Sequence, residues 1–208
     1  MKHHSFVHPS ITLLKRAIDL TFSIFCLLLT LPLLVIIALA IKLSSSGDIL
    51  YCQIRVGKVK NFNMIKFRTM VNDAEASSGA VWASSNDSRL TCVGRLLRKT
   101  RLDELPQFIN VIKGEMSLIG PRPERPEIVI NLEKYIPFYS ERTFEMTPGI
   151  TGLAQVNQGY DTCIDDVRSK IAYDFAYSLS LTKLHRWLLM DLQIIFKTIV
   201  IMVLGRGQ

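Results

Sequence analysis

Residues 20–41 read "LTFSIFCLLLTLPLLVIIALAI", an apolar run without one charged side chain. Its length suits a helix inserted in a membrane. Three forms fit it. A cleaved signal peptide would use Lys15-Arg16 ahead of the run and Ala38-Leu39-Ala40 near its end, but the apolar regions of such peptides are shorter. A straight transmembrane helix is the plainest form. Against it, Pro32 sits near the middle, where it removes a backbone hydrogen bond and bends a helix. Both flanks are also basic: Lys15 and Arg16 ahead, Lys42, Arg55, Lys58 and Lys60 behind. The positive-inside rule therefore picks no direction. A helix that enters, bends at Pro32 and returns to the same face satisfies both flanks, although proline also occurs in ordinary spans.

A second apolar stretch, "HRWLLMDLQIIFKTIVIMVLG" (185–205), is interrupted by Asp191, Gln193 and Lys197. It fits a helix lying partly in the membrane interface, or a buried core helix, better than a second span. The bulk composition agrees with one domain and an attachment device. The chain has 208 residues, 49% of them hydrophobic and 21% charged, with a formal net charge of +7. That is too apolar for a disordered or nucleic-acid-coating chain, and basic enough to meet anionic lipid or phosphorylated substrates. No nucleic-acid partner is expected. The four cysteines form no C-x-x-C pair, and Cys26 lies inside the apolar run, which favours a reducing compartment over a disulfide framework.

Between the two apolar stretches, residues 49–70 alternate β-branched and aromatic residues around a Gly-Lys turn and read as a short hairpin. Residues 71–87 begin helix-like and become a Ser/Gly/Asn-rich loop. Residues 88–101 carry Arg89, Arg95, Arg98, Lys99 and Arg101 with no acid among them, and Asp103-Glu104 follow at once. Leu105, Phe108, Ile109 and Ile112 then form an i, i+3, i+4, i+7 stripe, with Pro106 in the first turn and Gly114 at the end. This predicts one helix with the acidic pair at its N-terminus. "VRSKIAYDFAYSL" (167–179) predicts another, with Lys170 and Asp174 one turn apart.

An aspartate at a helix start most often caps free N–H groups, and an arginine-rich face can simply rest on anionic lipid. The combination says more. Cations able to bind a diphosphate, a carboxylate pair able to hold Mg²⁺ or attack phosphorus, and an embedded helix share one small chain. The sequence contains no H-E-x-x-H, Walker loop, G-x-S-x-G or G-x-G-x-x-G.

Three strings in order, "KFRTM" (66–70), "VGRLLRKTRLDELPQFINVIKGEMSLIGPRPE" (93–124) and "TPGITGLAQV" (147–156), resemble the bacterial sugar transferase family, the monotopic polyprenyl-phosphate phosphoglycosyl transferases. The resemblance runs from Lys15-Arg16-x-x-Asp19 to the C-terminal apolar helix, and the chain looks like the family's minimal catalytic unit. It implies transfer of a sugar-1-phosphate from a UDP-sugar to polyprenyl (undecaprenyl) phosphate, with release of UMP and a phosphosugar–enzyme ester on the way. Mg²⁺ is the implied cofactor. Asp103 maps onto the nucleophile and Glu104 onto its partner in metal and substrate positioning. Arg98 and Arg122 map onto phosphate-binding positions, with Lys66 and Arg68 of "KFRTM" counted as substrate-binding too. The family's membrane helix is re-entrant, broken at a proline that Pro32 matches.

The chain departs from the pattern twice. Leu31 stands where many members have Ser before the proline, and Val156 is followed by Asn157-Gln158-Gly159-Tyr160-Asp161 instead of Gly-Arg-Asn. That variable region, 157–166, is a candidate to touch the sugar. The expected architecture is α+β, mostly helical: residues 1–46 as an N-terminal segment and re-entrant helix-break-helix, and residues 47–208 as a catalytic domain with interfacial amphipathic helices. Its expected place is the cytoplasmic face of the bacterial inner membrane, starting lipid-linked glycan assembly. The apolar surfaces leave room for a homodimer. The competing reading is a non-catalytic membrane-anchored module that binds anionic nucleotide or lipid.

Overall fold

The computed structural model describes residues 7–72, 74, 87–143, 145–158 and 164–204. The loop expected within 71–87, most of it, and residues 159–163 of the variable region lie outside the described residues. The described residues are mostly helical, with two small two-stranded sheets among them.

Helix α1 (Pro9–Ser44) holds 36 residues, so it is roughly 54 Å long at the usual rise per residue. Pro9 starts it, a position where the missing N–H costs nothing. Among the described residues it is the one helix long and apolar enough to cross a membrane, by length and composition. The expected break at Pro32 is not a gap: the helix runs through it as one element. A proline removes a single backbone bond, and the Thr30 hydroxyl donates to the Cys26 carbonyl at 2.7 Å one turn earlier. Such back-bonding bends a helix without ending it.

One face of α1 is covered along its length. Ile11, Asp19, Ser23, Ile37 and Ile41 are buried, and Cys26, Leu27, Thr30 and Leu34 continue the stripe half-buried. The N-terminal end packs with Ile119, Met146, Tyr177, Trp187 and Ile194, and the C-terminal end with Phe67 and Leu97. The other face is bare hydrocarbon, with Leu28, Leu29 and Ile36 each more than 60% exposed. Helix α7 (Leu184–Val203) repeats the pattern. Trp187 and Ile194 face inward, while Leu189, Phe196 and Val203 are exposed. Contiguous apolar surface on this scale marks a membrane or protein contact. The polar residue that interrupts α7 has a structural use: Asp191 accepts from Trp187 Nε1 at 2.7 Å and lies 3.5 Å from Lys15 Nζ on α1. One face of the helix is therefore core, and the other is exposed apolar surface.

The hairpin is present as β1 (Leu50–Arg55) and β2 (Phe62–Phe67), antiparallel with Leu50 opposite Phe67 and Arg55 opposite Phe62. Helix α2 (Cys92–Thr100) follows, with Thr91 Oγ1 capping the Gly94 N–H at 2.9 Å. Gly94 is required there, because a Cβ would meet the Thr69 carbonyl oxygen at 1.9 Å. The single helix expected after Arg101 is split. Leu102–Glu104 form one 3₁₀ turn, and α3 (Gln107–Lys113) starts only after Pro106 and ends at Gly114.

The inward face of α3 also differs from the apolar stripe. Its buried residues are Gln107, Asn110 and Val111, whereas Ile109 is exposed. Asn110 explains this. Its amide accepts from the Ile65 N–H at 3.0 Å and donates to the Asn63 carbonyl at 2.8 Å, tying β2 to α3. From α1, the Arg16 guanidinium donates to the Val111 and Ile112 carbonyls at 2.6 and 2.8 Å, closing the free end of α3.

Strands β3 (Ser117–Ile119) and β4 (Gly149–Thr151) pair in parallel. Gly120 and Gly149 let the two segments touch: a Cβ on Gly149 would meet the Gly120 nitrogen at 2.1 Å. Helices α4 (Pro126–Glu133), α5 (Leu153–Asn157) and α6 (Ile164–Ser180) complete the body.

Candidate active site

The acidic pair sits where three elements meet. Arg101 ends α2 in the left-handed region (φ 56°, ψ 17°), which turns the chain sharply into the Leu102–Glu104 turn. Both carboxylates are buried there, each 7% exposed. They are adjacent in sequence and differ in environment.

Glu104 is held by cations from three directions. Lys66 Nζ of β2 donates to its Oε1 at 2.9 Å, Arg122 Nη1 lies 3.6 Å from the same oxygen, and Arg101 Nη1 lies 3.6 Å from Oε2. Burial alone would raise its pKa. Lys66, Arg122 and Arg101 outweigh that and hold the carboxyl well below the usual carboxylate range. Burial in turn lowers the Lys66 ammonium, with Glu104 opposing.

Asp103 has no cation within ion-pair distance among the described residues, so burial dominates and pushes its carboxyl up to about 6. Glu104 adds to the rise, while Lys66, Arg98 and Arg122 pull against it. A buried carboxyl with a raised pKa, facing cations without being in contact with them, is a candidate for a reactive group. Its neighbour is a fixed one.

The structure brings Lys66, Asp103, Glu104 and Arg122 together. Arg98 stands one step back, its Nε donating to Thr69 Oγ1 at 3.0 Å while its charge reaches Asp103. Arg68 is engaged elsewhere. Its guanidinium donates to the Ser46 carbonyl at 2.6 Å and to the Ser45 carbonyl at 2.9 Å, just past the end of α1. Gly47 (φ 112°) leaves the space that this guanidinium fills. Arg68 thus fastens the membrane helix to the strand that carries Lys66. Pro32 lies exposed on α1, on the face opposite the body.

Arg55 is a contributor whose role its sequence context did not signal. Its Nη1 donates to the Pro123 carbonyl at 3.1 Å and lies 3.7 Å from Glu124, while the Val56 N–H donates to the Glu124 carbonyl at 2.9 Å. The hairpin thereby pins the Pro121–Glu124 loop that presents Arg122. Burial, and then Arg122 beside it, lower the Arg55 guanidinium to about 10, which marks this corner as rich in positive charge.

Among the described residues no group of three or more His, Cys, Asp or Glu could cage a metal ion. Mg²⁺ seldom needs such a cage, since one or two carboxylates plus substrate phosphates and water suffice. Asp103 fits that use. Glu104, with three cations on its two oxygens, fits it less well.

The bacterial sugar transferase model matches residues 10–205, which includes every element that builds this site. The chain belongs to the bacterial sugar transferase family. Within the curated members, it is 44% identical over 200 residues to the UDP-N-acetylgalactosamine-undecaprenyl-phosphate N-acetylgalactosaminephosphotransferase of Aeromonas hydrophila, covering 96% of this chain and 46% of that protein. It is 40% identical over 196 residues to the undecaprenyl-phosphate glucose phosphotransferase of Komagataeibacter xylinus, covering 89% and 35%. It is 39% identical over 193 residues to the exopolysaccharide production protein PSS of Rhizobium leguminosarum bv. phaseoli, covering 90% and 94%. The chain thus spans less than half of the first two sugar transferases and nearly all of the third.

Proposed function

We propose that the protein transfers a sugar-1-phosphate from a UDP-sugar to polyprenyl (undecaprenyl) phosphate, releasing UMP and starting a lipid-linked glycan. Two of the relatives carry undecaprenyl-phosphate sugar phosphotransferase names, which supports the substrate class. The observation that carries the chemistry is the asymmetry of the pair: Glu104 neutralised by three cations, Asp103 buried and free of them.

In this reading an Asp103 carboxylate oxygen forms a bond to the phosphorus that bears the sugar. The phosphoanhydride bond breaks and its electron pair leaves with UMP. A phosphate oxygen of the polyprenyl acceptor then attacks the same phosphorus, and the Asp103 carboxylate departs. Covalent catalysis lets a water-soluble donor and a lipid acceptor use one site in turn. Arg122 and Arg98 hold phosphate oxygens, Lys66 and Glu104 fix the electrostatics, and Arg68 and Arg55 position the elements that carry them. When bound through Asp103, Mg²⁺ would offset the diphosphate charge that otherwise repels a carboxylate.

The reading also puts α1 into and out of the membrane on the cytoplasmic side of the inner membrane. Its body-facing stripe extends from Ile11 to Ile41, so the whole helix lies along the catalytic body. Pro32 is on the opposite face, where its ring crowds the Leu28 carbonyl, and in this reading the bend it causes turns both arms toward the body. Membranes carrying the protein, given Mg²⁺, undecaprenyl phosphate and a panel of UDP-sugars, should release UMP only when donor and acceptor are both present. Nucleotide binding without UMP release would instead favour a non-catalytic anion-binding module.

A further inference from the structure

The face of the hairpin that carries Lys66 also carries a row of side chains from the outer strand, β1. Tyr51 stands directly opposite Lys66 in the antiparallel ladder, so their Cβ atoms are about 5 Å apart on one face. Gln53 and Arg55 follow at every second residue and share that face. The row is bonded end to end. Arg55 Nη2 donates to Gln53 Oε1 at 2.5 Å, and Gln53 Nε2 donates to the Tyr51 phenol oxygen at 3.1 Å. Arg55 is itself fastened to the Pro123 carbonyl, beside Arg122. Lys66 reaches Glu104 from this face, so the row borders the acidic pair.

Tyr51 differs from the other large side chains here. Phe62 and Met64, on the same face of β2, are buried with Val111 and Met116, whereas Tyr51 is 42% exposed. The reason is its strand. Through Asn110 the far edge of β2 is tied to α3, and β1 is left on the outside. The bond from Gln53 goes to the phenol oxygen, so it fixes the tilt of the ring without drawing on its π face. An exposed aromatic ring with a fixed tilt, next to cations that suit phosphates, is a stacking surface prepared in advance.

We propose that the Tyr51 ring stacks on the nucleobase of the donor, and that Gln53 and Arg55 hold the ring in position for it. The inference rests on the transfer reaction above. In that reaction the phosphorus bearing the sugar meets Asp103, and a second phosphate and a ribose separate it from the base. Tyr51 is set back from Glu104 by the length of the Lys66 side chain, which places it beyond the phosphate-binding cations. A flat aromatic ring favours any base, because every base has a π face. Tyr51 thus supplies affinity and position, and leaves the sugar to other groups.

The test is direct binding of UDP and of inorganic pyrophosphate to the full chain with Mg²⁺, measured by calorimetry for wild type, Tyr51→Ala and Tyr51→Phe. Pyrophosphate keeps the two phosphates and lacks the nucleoside. Tyr51→Ala should weaken UDP about ten-fold, the effect of one lost base–aromatic stack, and should leave pyrophosphate and the melting temperature where they were. Tyr51→Phe should keep most of the UDP affinity, since the ring remains. The order of preference among UDP-glucose, UDP-galactose and their N-acetylated counterparts should be the same in all three proteins. Unchanged UDP affinity in Tyr51→Ala would overturn the proposal, as would pyrophosphate weakening in step with UDP. Tyr51→Phe as weak as Tyr51→Ala would make the hydroxyl the contact and overturn the stack. A changed donor order with UDP affinity intact would move Tyr51 to the sugar, and a raised KM for polyprenyl phosphate alone would move it to the lipid. Both overturn it and leave the transfer reaction standing. UDP binding that depends on the Tyr51 ring, in a wild type that releases no UMP from any donor, would overturn the transfer reaction and keep the nucleobase contact.

Discussion

Lys66 Nζ lies 2.9 Å from Glu104 Oε1, joining the second strand of the hairpin to the turn that carries the acidic pair. Removing one partner of a buried ion pair costs about 3–5 kcal/mol when the other charge is left alone, an upper bound for Lys66→Met because Arg101 and Arg122 stay beside Glu104. Lys66→Met and Glu104→Gln should each lower unfolding free energy on that scale and reduce turnover strongly. In the double variant, the loss of stability should be smaller than the two single losses added together. Chemical denaturation of the three variants checks this, and strict additivity would show that the pair is not coupled.

The pH profile should report Asp103. Its carboxyl, raised to about 6 by burial, must be ionised to attack phosphorus, so kcat/KM for the UDP-sugar should rise between pH 5 and 7 through an apparent pKa near 6. Lys66 pulls that value down, so Lys66→Met should shift the rise to higher pH in whatever activity remains. Stability runs the other way. The folded protein holds this proton more tightly than the unfolded chain does, so the Asp103 contribution favours folding at low pH and is lost as pH rises through about 6.

Arg122→Ala should weaken the donor complex by about 1.5–3 kcal/mol, the worth of a charge-assisted hydrogen bond, or roughly ten- to hundred-fold in KM. Arg68→Ala should act differently, because its donors are committed to the Ser45 and Ser46 carbonyls. Its loss should appear first in melting temperature and membrane extraction. A KM effect for Arg68→Ala as large as that of Arg122→Ala, without loss of stability, would return Arg68 to the substrate.

The long apolar helix and the hairpin were legible in the sequence, because each depends on local pattern: an uncharged run, and alternation around a turn. The inner face of α3 was not. Periodicity placed Leu105, Phe108, Ile109 and Ile112 inward, but Gln107, Asn110 and Val111 are buried, with Asn110 bonded to the Asn63 and Ile65 backbone of a strand more than forty residues away. The same limit hid the contacts of Arg55 and Arg68, since both donate to backbone carbonyls that no motif marks. It also hid the inequality of Asp103 and Glu104, which arises from where Lys66, Arg101 and Arg122 converge in space.

Thr30 and Pro32 together should set the path of α1. On a background without native cysteines, single cysteines at Ser10 and Ser46 should both resist a membrane-impermeant thiol reagent in intact cells, and both react after lysis. Labelling at one position alone in intact cells would establish a one-way span. Pro32→Ala should favour that span, and Thr30→Ala should favour it further by freeing the Cys26 carbonyl to accept only its backbone bond.

The most direct test of the account is the mass of the peptide that contains Asp103. Wild-type protein incubated with Mg²⁺ and its UDP-sugar, but without polyprenyl phosphate, should gain one phosphosugar on that peptide, and adding the acceptor should remove it. Asp103→Asn should neither gain the mass nor turn over. A protein that releases UMP normally with its acceptor, yet is never modified at Asp103 and keeps its turnover as Asp103→Asn, would contradict the assignment of this residue as the nucleophile.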